Sequence, residues 1–177
     1  MRAMFSGRFG NTSGRPYLEA LVILPRLKVR SGVSFIVDTG ADMTVLMPAD
    51  AIKMGVNHKK LRPGKKLTGV GGNCKSFSEK AILVLSDGDR KIVFAYDIDM
   101  QIVDTQAAIT KSGYCPSLLG RNVLDRLRIS YDAPKRKIKF SLISADLIIP
   151  LKERAARDLH KELRSSITER ELPHYPD

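Results

Sequence analysis

The sequence predicts an all-β or mainly β domain, followed by an amphipathic helix. Three observations lead to this prediction. The chain of 177 residues suits one domain with an appendage better than two full domains. Short apolar runs bounded by Gly, Pro and Ser recur along most of its length, as in a chain of strands and turns. From Pro150 onward, apolar residues recur four positions apart instead, which is the spacing of one helical face.

The composition divides the chain into three parts. Residues 1–15 are rich in Gly, Ser and Arg and are predicted to form a flexible basic arm. The arm has no apolar stretch like that of a signal peptide, so we expect none. Residues 16–149 are predicted to form the domain, and residues 150–177 a C-terminal helical extension. The apolar positions of that extension are Leu151, Ala155, Leu159, Leu163 and Ile167.

The first predicted feature of the domain is a hairpin. The run Tyr17–Leu24 is rich in strand-forming residues and ends at Pro25. Arg30-Ser31-Gly32 is typical of a turn, and Val33–Val37 is the next apolar run. The second strand of this hairpin therefore leads directly into Asp38.

Asp38 lies where a buried strand meets a tight turn. Gly40 allows a backbone path that a residue with a Cβ would resist. A carboxylate beside apolar chain is costly unless it has a partner or a chemical role. The alternative is an ordinary turn or helix-capping Asp, because Asp is common after strands and before helices.

The middle of the chain predicts a short helix and several strands. Pro48–Gly55 is the helix, since Pro suits a first turn and Gly suits a C-terminal cap. Three glycines between Leu67 and Asn73 predict a mobile hairpin tip, and Cys74–Leu85 predicts the returning strand. Lys91–Tyr96 and Ile98–Val103 predict two further strands.

The last part of the domain predicts a strand, a helix and a closing hairpin. Leu118 and Leu119 form an apolar pair that ends at Gly120, and from Asn122 the apolar residues recur at helical spacing through Leu127. A hairpin is then predicted, with its first strand at residues 129–132, its turn at 134–137 and its second strand at 138–140.

Two motifs resemble those of the retropepsins, the retroviral-type aspartic proteases. The residues from Asp38-Thr39-Gly40-Ala41-Asp42 through Thr44-Val45-Leu46 resemble the active-site loop of that family. Leu118-Leu119-Gly120-Arg121-Asn122 resembles its second motif, which opens the single helix of the fold. The Gly-rich segment lies between the two motifs, where the family carries its flap. The resemblance covers about Tyr17 to Leu127.

The resemblance implies an acid-protease-like single lobe with one short helix, and an aspartic endopeptidase without a cofactor or a metal. Asp38, Thr39 and Gly40 would be the catalytic residues. Asp42, Val70, Gly71 and Gly72 would bind the polypeptide substrate, and Arg121 would support Asp42. The closing hairpin looks more like the end of a pepsin-like lobe than the short terminal strand of a viral enzyme. How a dimer interface is built is therefore left open.

The single Asp-Thr-Gly sequence predicts a homodimer. Two carboxylates placed about 3 Å apart share one proton, so one can accept a proton from water while the other donates to the peptide carbonyl. One chain supplies only one such carboxylate. A second copy of the chain would have to supply the other across a two-fold axis.

Two other functions are compatible with the sequence. The first is a non-catalytic dimerising or peptide-binding module, because the same fold can carry different functions. The second is nucleic-acid binding, suggested by the formal net charge of +11. From Pro150 onward, however, six Lys and Arg balance six Asp and Glu, and aromatic residues make up only 6% of the chain. Specific nucleic-acid binding is therefore disfavoured.

The location expected from the sequence is the cytoplasm. No apolar run approaches the length that spans a bilayer, so we expect no membrane contact. Cys74 and Cys115 lie far apart and have no neighbours at metal-ligand spacing. Two free thiols in a reducing compartment are the default interpretation. For Cys74, a small structural residue is favoured over a redox switch.

Overall fold

The computed structural model describes residues 3–11, 13–64, 66–69, 72–87, 91–104 and 115–164. The strands are β1 (Met4–Ser6), β2 (Arg8–Phe9), β3 (Pro16–Leu24), β4 (Val29–Val37), β5 (Val45–Leu46), β6 (Leu67–Gly69), β7 (Gly72–Cys74), β8 (Ser76–Ser86), β9 (Ile92–Val103), β10 (Leu118–Leu119), β11 (Leu127–Asp132), β12 (Lys137–Leu142) and β13 (Leu147–Pro150). The α-helices are α1 (Pro48–Met54), α2 (Arg121–Leu124) and α3 (Glu153–Arg164). Two 3₁₀ turns cover Pro25–Leu27 and His58–Lys60.

Most strands belong to one eight-stranded sheet that curls on itself. Its path runs β13-β9-β5-β10-β4-β3-β2, and β8 pairs with both β3 and β9. Because β8 joins two strands that lie apart on this path, the sheet has a barrel-like form. β8 and β9 form a long antiparallel hairpin from Ser76 opposite Val103 to Ser86 opposite Val93. The fold is mainly β, as the sequence predicts.

The core consists of aliphatic, Met and Phe side chains, together with Tyr96, from the inner faces of these strands. In β9 the alternation is clear, because Ile98 and Met100 are buried while Asp97 and Asp99 are exposed. This period of two is the signature of a strand with one buried face. Other fully buried side chains are Leu24, Phe35, Leu46, Leu83, Leu85, Ile102 and Leu119.

The predicted flexible arm at the N-terminus is wrong for residues 4–9. β1 pairs antiparallel with β12, and β2 pairs with β3. Phe5 is 4% exposed, and its ring centroid lies 5.4 Å from that of Phe140 and 6.0 Å from that of Phe94. The burial of this ring holds the segment in place, which its Gly- and Arg-rich composition does not reveal.

The first hairpin has a different turn from the predicted one. The reversal occurs at Pro25–Leu27 and Lys28, whose φ of 56° is left-handed. Ser31 and Gly32 lie inside β4 and pair with Val22 and Leu21. The predicted turn at residues 30–32 is therefore wrong, although the hairpin and its delivery of Asp38 are confirmed.

Two further element predictions need correction. The two strands expected at residues 91–103 form one strand, β9, because the exposed Asp97 fits its alternation and does not break it. The helix that begins near Asn122 ends at Leu124, and Leu127 already pairs with Leu142 in β11. Helix α1 ends as predicted, with Gly55 left-handed at φ 79°.

The C-terminal helix, α3, begins at Glu153, three residues after the predicted start of the extension, and packs on the domain. Ala156 is 8% and Leu163 is 0% exposed, and Arg30 of β4 lies 3.4 Å from Glu162. Ala155, predicted on the apolar face, is exposed, and the neighbouring Ala156 is buried in its place. The predicted end of the domain, residue 149, falls inside β13. In the described part of the chain, no helix is long and apolar enough to cross a membrane.

Candidate active site

Asp38 is held at the end of a central strand. β10 lies between β4, to which it is parallel, and β5, to which it is antiparallel. The Ile36 N–H donates to the Ser117 carbonyl at 2.8 Å, and the Asp38 N–H donates to the Leu119 carbonyl at 3.1 Å. The backbone of Asp38 is therefore fixed by a strand that is distant in sequence, while its side chain is half-buried.

The loop after β4 orients the Asp38 carboxylate. The Gly40 N–H donates to Asp38 Oδ1 at 2.9 Å, and the Ala41 N–H donates to the Asp38 carbonyl at 3.3 Å. Thr39 and Gly40 are exposed. The short turn thus presents one carboxylate, already accepting a backbone hydrogen bond, beside two residues that are open to solvent.

Helix α2 begins against this loop. The first N–H groups of a helix have no partner inside the helix. Here the Arg121 N–H donates to the Ala41 carbonyl at 2.8 Å, and the Asn122 N–H donates to the Asp42 carbonyl at 3.2 Å. The loop after β4 therefore satisfies the start of α2, and each fixes the position of the other.

The Asn122 side chain connects three parts of the site. Its Oδ1 accepts from the Thr44 N–H at 2.9 Å and from the Thr44 hydroxyl at 2.7 Å, and its Nδ2 donates to the Asp99 carbonyl at 3.2 Å. Thr44 is fully buried, and its hydroxyl oxygen also accepts from the Gly120 N–H at 3.2 Å. Asn122 thereby joins the loop, α2 and β9.

Gly120 is required because there is no room for a Cβ where the two motifs meet. A Cβ at this position would lie 2.3 Å from the Met43 carbonyl carbon and 2.8 Å from the Thr44 nitrogen. Its φ of −94° is ordinary, so the restriction is the close approach of two backbones. Only glycine lets the Asp38 loop and α2 meet at this distance.

A buried polar network anchors β10 from its other end. The Ser117 hydroxyl donates to Asp50 Oδ2 at 2.7 Å and accepts from the Met47 N–H at 3.0 Å. Ser117 is 0% and Asp50 is 5% exposed. Met47 is the N-cap of α1, so Ser117 satisfies an N–H that the helix leaves unpaired. The strand that supports Asp38 is thus tied to α1.

Comparison with known proteins identifies the family. Residues 14–131 match the family model described as retroviral aspartyl protease. The chain belongs to the retroviral aspartyl protease family. It is therefore an aspartic endopeptidase, and Asp38-Thr39-Gly40 lies within the matched range.

Two solved structures are similar to this member of the retroviral aspartyl protease family. One is a retropepsin-like aspartic protease from Rickettsia conorii, 22% identical, covering 85% of this chain and 96% of that chain with a TM-score of 0.54. The other is the EIAV protease complexed with the inhibitor HBY-793, 23% identical over 65% of this chain and 89% of that chain, with a TM-score of 0.44. No curated protein matches the chain. The Rickettsia structure supports the fold.

The predicted pair of Asp42 and Arg121 is brought together by this aspartic protease fold. Arg121 Nη1 lies 3.6 Å from Asp42 Oδ1, and Arg121 Nε lies 3.7 Å from Asp125 Oδ2. The Asp42 side chain is 82% exposed, so the pair contributes little to stability. The Asp42 carboxylate is accessible to a substrate, and its binding role stays a prediction.

The predicted flap lies on the β6–β7 hairpin. Gly69 pairs with Gly72, and Leu67 pairs with Cys74. Val70 and Gly71 lie outside the described residues. The hairpin is in the predicted place, and its contact with substrate stays a prediction.

Cys74 has the properties of an unreactive thiol. Burial and the nearby Asp104 carboxylate raise its pKa above the ordinary value. The thiolate is the reactive form of cysteine, so a raised pKa opposes redox reactivity. This favours the structural role expected from the sequence.

Asn122 belongs to the second sequence motif and Ser117 directly precedes it, yet the sequence assigns a role to neither residue. The partners of Asn122, Thr44 and Asp99, are 78 and 23 positions away. Ser117 acts through Asp50, 67 positions away. The one local signal was that both lie within a few residues of the apolar pair before Gly120.

Proposed function

We propose that two copies of this chain form one active site, in which the two Asp38 carboxylates hydrolyse a peptide bond with an activated water. The observation that carries this proposal is the single Asp38 carboxylate, oriented at the end of β4 in a chain with one Asp-Thr-Gly sequence. A second carboxylate is needed because acid and base roles are required at once.

The proposed mechanism uses the shared proton of the pair. One Asp38 takes a proton from the bridging water, which attacks the peptide carbonyl carbon. The other Asp38 donates its proton to the carbonyl oxygen, giving a tetrahedral diol. Proton transfer to the leaving nitrogen then breaks the C–N bond and restores the original state of the pair. No cofactor or metal is needed for these steps.

The neighbouring residues have supporting roles in this proposal. The Gly40 N–H fixes Asp38 Oδ1, so the carboxylate is positioned before substrate binds. Thr39 is exposed beside it and is proposed to join the two loops through its hydroxyl. The exposed Asp42 is proposed to accept hydrogen bonds from substrate backbone, and Val70, Gly71 and Gly72 to cover the peptide.

We also propose a cytoplasmic location. Cys74 and Cys115 are both free thiols in the structure, and burial raises the pKa of each. Free cysteines are typical of reducing compartments. Fractionation of cells that express the tagged chain would test the location.

The experiment is cleavage of an unbiased peptide library between pH 4 and 7, with Asp38→Asn beside the parent chain. The amide oxygen of Asn can still accept from the Gly40 N–H, so the fold should be preserved while the shared proton is lost. We expect cleavage to fall about a thousandfold or more. The matched control is Asp158→Asn, an exposed carboxylate of α3, which should cleave like the parent.

Dimerisation of the same preparations decides between the proposal and its alternative. A dimeric parent that cleaves no peptide would indicate a non-catalytic dimerising or peptide-binding module. Cleavage that survives Asp38→Asn would show that another group carries the reaction. Sedimentation velocity and circular dichroism on both variants establish assembly and folding.

A further inference from the structure

Strand β10, which holds the backbone of Asp38, is only two residues long. It contacts β4 through Leu118 opposite Ile36 and Leu119 opposite Val37, and β5 at a single position. A strand of this length forms only a few hydrogen bonds with its neighbours. The contacts at its two ends therefore contribute to holding it in place against β4.

The end that follows β10 is held at the start of α2. The Gly120 N–H donates to the Thr44 hydroxyl oxygen at 3.2 Å, and that hydroxyl donates to Asn122 Oδ1 at 2.7 Å. These bonds connect β10 to the loop after β4. The end that precedes β10 is held by a different residue, Ser117.

Ser117 connects the strand that leads to Asp38 with helix α1. Its carbonyl accepts from the N–H of Ile36, two positions before Asp38, at 2.8 Å. Its hydroxyl donates to Asp50 Oδ2 at 2.7 Å and accepts from the Met47 N–H at 3.0 Å. The main chain of one residue thus binds β4 while its side chain binds the start of α1.

The hydrogen bond between Ser117 and Asp50 has the properties of a strong contact. Ser117 is 0% and Asp50 is 5% exposed, so water does not compete for either group. A hydroxyl that donates to a carboxylate forms a shorter and stronger bond than one that donates to a neutral acceptor, and 2.7 Å lies in the charge-assisted range. The contact can therefore fix β10 more firmly than the short strand pairing alone.

The position of β10 determines where Asp38 lies. The Asp38 N–H donates to the Leu119 carbonyl at 3.1 Å, so a displacement of β10 is passed directly to the backbone of Asp38. An error of about 1 Å in the placement of a reacting group can cost about a hundredfold in rate. Residues that fix β10 can therefore affect catalysis without contact with the substrate.

We propose that Ser117 and Asp50 are positioning residues for catalysis: their buried hydrogen bond fixes β10, and β10 fixes the Asp38 carboxylate relative to that of the second copy. This inference rests on the proposed function, in which the two carboxylates act as a pair. Both residues act through the backbone of β10. Asp42, proposed to bind substrate, is held by the Asn122 N–H instead, so substrate binding should depend less on Ser117.

The first test is Ser117→Ala, with Ser76→Ala as the matched control. Ser76 is also a buried serine, 3% exposed, whose hydroxyl donates to Gln101 Oε1 at 3.0 Å and joins β8 to β9. We expect kcat of Ser117→Ala to fall about tenfold or more with KM within about twofold of the parent. Ser76→Ala should keep the parent kcat. Circular dichroism and sedimentation velocity establish that each variant is folded and dimeric under the assay conditions.

The second test separates the hydrogen bond from the charge of Asp50. The amide oxygen of Asn can accept from the Ser117 hydroxyl, so Asp50→Asn keeps the bond and Asp50→Ala removes it. We expect Asp50→Asn to retain about a third or more of the parent kcat, and Asp50→Ala to fall as far as Ser117→Ala. The double variant Ser117→Ala/Asp50→Ala should be no slower than either single variant, because the two residues act as one unit. Equal losses in Asp50→Asn and Asp50→Ala would overturn the role of the hydrogen bond.

The pH dependence of kcat/KM distinguishes positioning from a loss of stability. Two carboxylates that are held less firmly move apart under their mutual repulsion and then interact less, so the acid and base limbs of the profile move closer together. We expect a narrower profile for Ser117→Ala and the parent width for Ser76→Ala. A lower amplitude with the parent width, in proportion to a smaller folded fraction, would show a merely structural role and overturn the inference.

The outcomes also separate this inference from the proposed function. If the parent cleaves peptide and Asp38→Asn abolishes cleavage, while Ser117→Ala and Asp50→Ala keep the parent kcat, only this inference fails. If Ser76→Ala loses as much kcat as Ser117→Ala, any buried hydroxyl has the same effect, which also overturns it. If the dimeric parent cleaves no peptide, the proposed function fails and this inference fails with it.

Discussion

At the scale of single residues, the two glycines of the site have different reasons for being glycine. Gly120 lies where two backbones touch, and an added Cβ would lie 2.3 Å from the Met43 carbonyl carbon. Gly40 lies in the exposed turn, where the nearest atom to an added Cβ is Asp38 Oδ1 at 3.2 Å. An added Cβ at Gly120 would therefore disturb the fold, whereas one at Gly40 would displace the Asp38 carboxylate.

Gly120→Ala should therefore destabilise the protein strongly. The backbone of Met43 and Thr44 cannot move away without breaking the hydrogen bonds of Thr44 to Asn122. We expect a loss of about 3 kcal/mol or more in the free energy of unfolding, measured by urea denaturation. An unchanged midpoint would show that the loop and α2 are not held together as described.

Gly40→Ala should instead reduce activity while the fold persists. The new methyl group meets the Asp38 carboxylate and shifts it from the position set by the Gly40 N–H. We expect kcat to fall about tenfold or more with a midpoint of urea unfolding close to that of the parent. Gly14→Ala is the comparison for stability. Gly14 is left-handed at φ 62°, which strains an alanine, but an added Cβ there would have no atom within 4 Å. Any loss of stability in Gly14→Ala would therefore come from the backbone and not from a contact.

The site could be predicted from the sequence only as far as its local motifs extend. Asp38 and Gly40 share one turn, so their chemistry is visible in consecutive residues. The buried pair of Ser117 and Asp50 is invisible there, because it depends on how β10 packs beside α1. Polar contacts between distant segments have no periodicity in the sequence from which they could be inferred.

At the scale of elements, one ion pair with a buried carboxylate joins three segments of the chain. Glu79 of β8 is 4% exposed and accepts hydrogen bonds from the Arg26 guanidinium and, at 3.3 Å, from the Arg62 N–H. Arg26 also donates to the Lys60 carbonyl at 2.6 Å. One guanidinium thus holds together the turn after β3, the 3₁₀ turn at residues 58–60 and β8.

Arg26→Met should lower the free energy of unfolding more than the loss of an exposed ion pair does. Removal of the guanidinium leaves the buried Glu79 carboxylate with the Arg62 N–H, and uncompensated buried charge is costly. The Arg26 side chain is itself 35% exposed, which moderates the loss. Urea denaturation of Arg26→Met, Glu79→Met and the double variant measures the coupling between the two side chains.

Arg30→Met is the control for this measurement. Arg30 forms an ion pair with Glu162 at 3.4 Å but is 66% exposed, so its loss should change stability by less than about 0.5 kcal/mol. Equal effects of Arg26→Met and Arg30→Met would contradict the special role of the buried pair.

The elements themselves were predictable wherever one face is buried. Ile138 and Phe140 alternate with exposed lysines in β12, and the closing hairpin was accordingly predicted. β13 was missed because its four residues are all exposed and show no alternation. β1 was missed because one buried ring, Phe5, holds a segment whose composition is typical of a flexible arm.

At the scale of the whole molecule, one copy of the chain supplies its own core but half of the proposed catalytic pair. The core, the loop after β4 and the start of α2 are satisfied by contacts within one copy. The catalytic chemistry proposed for the chain needs two carboxylates, and a second copy would supply the other. Folding and activity should therefore respond differently to protein concentration.

Mixing the parent with inactive subunits tests this separation directly. If both Asp38 carboxylates are needed, a parent chain paired with an Asp38→Asn chain is inactive. With a threefold excess of Asp38→Asn and free exchange of subunits, activity per parent chain should fall to about one quarter. Peptide cleavage is measured after equilibration, and co-purification of a tagged parent with the variant demonstrates exchange.

The control is an equal excess of Asp158→Asn. Asp158 is an exposed carboxylate of α3, so this variant exchanges with the parent, supplies an intact Asp38 and should leave the activity per parent chain unchanged. Full activity in the presence of exchanged Asp38→Asn subunits would show that one carboxylate suffices. Inhibition by Asp158→Asn would show that subunit exchange, and not the loss of one carboxylate, lowers the activity.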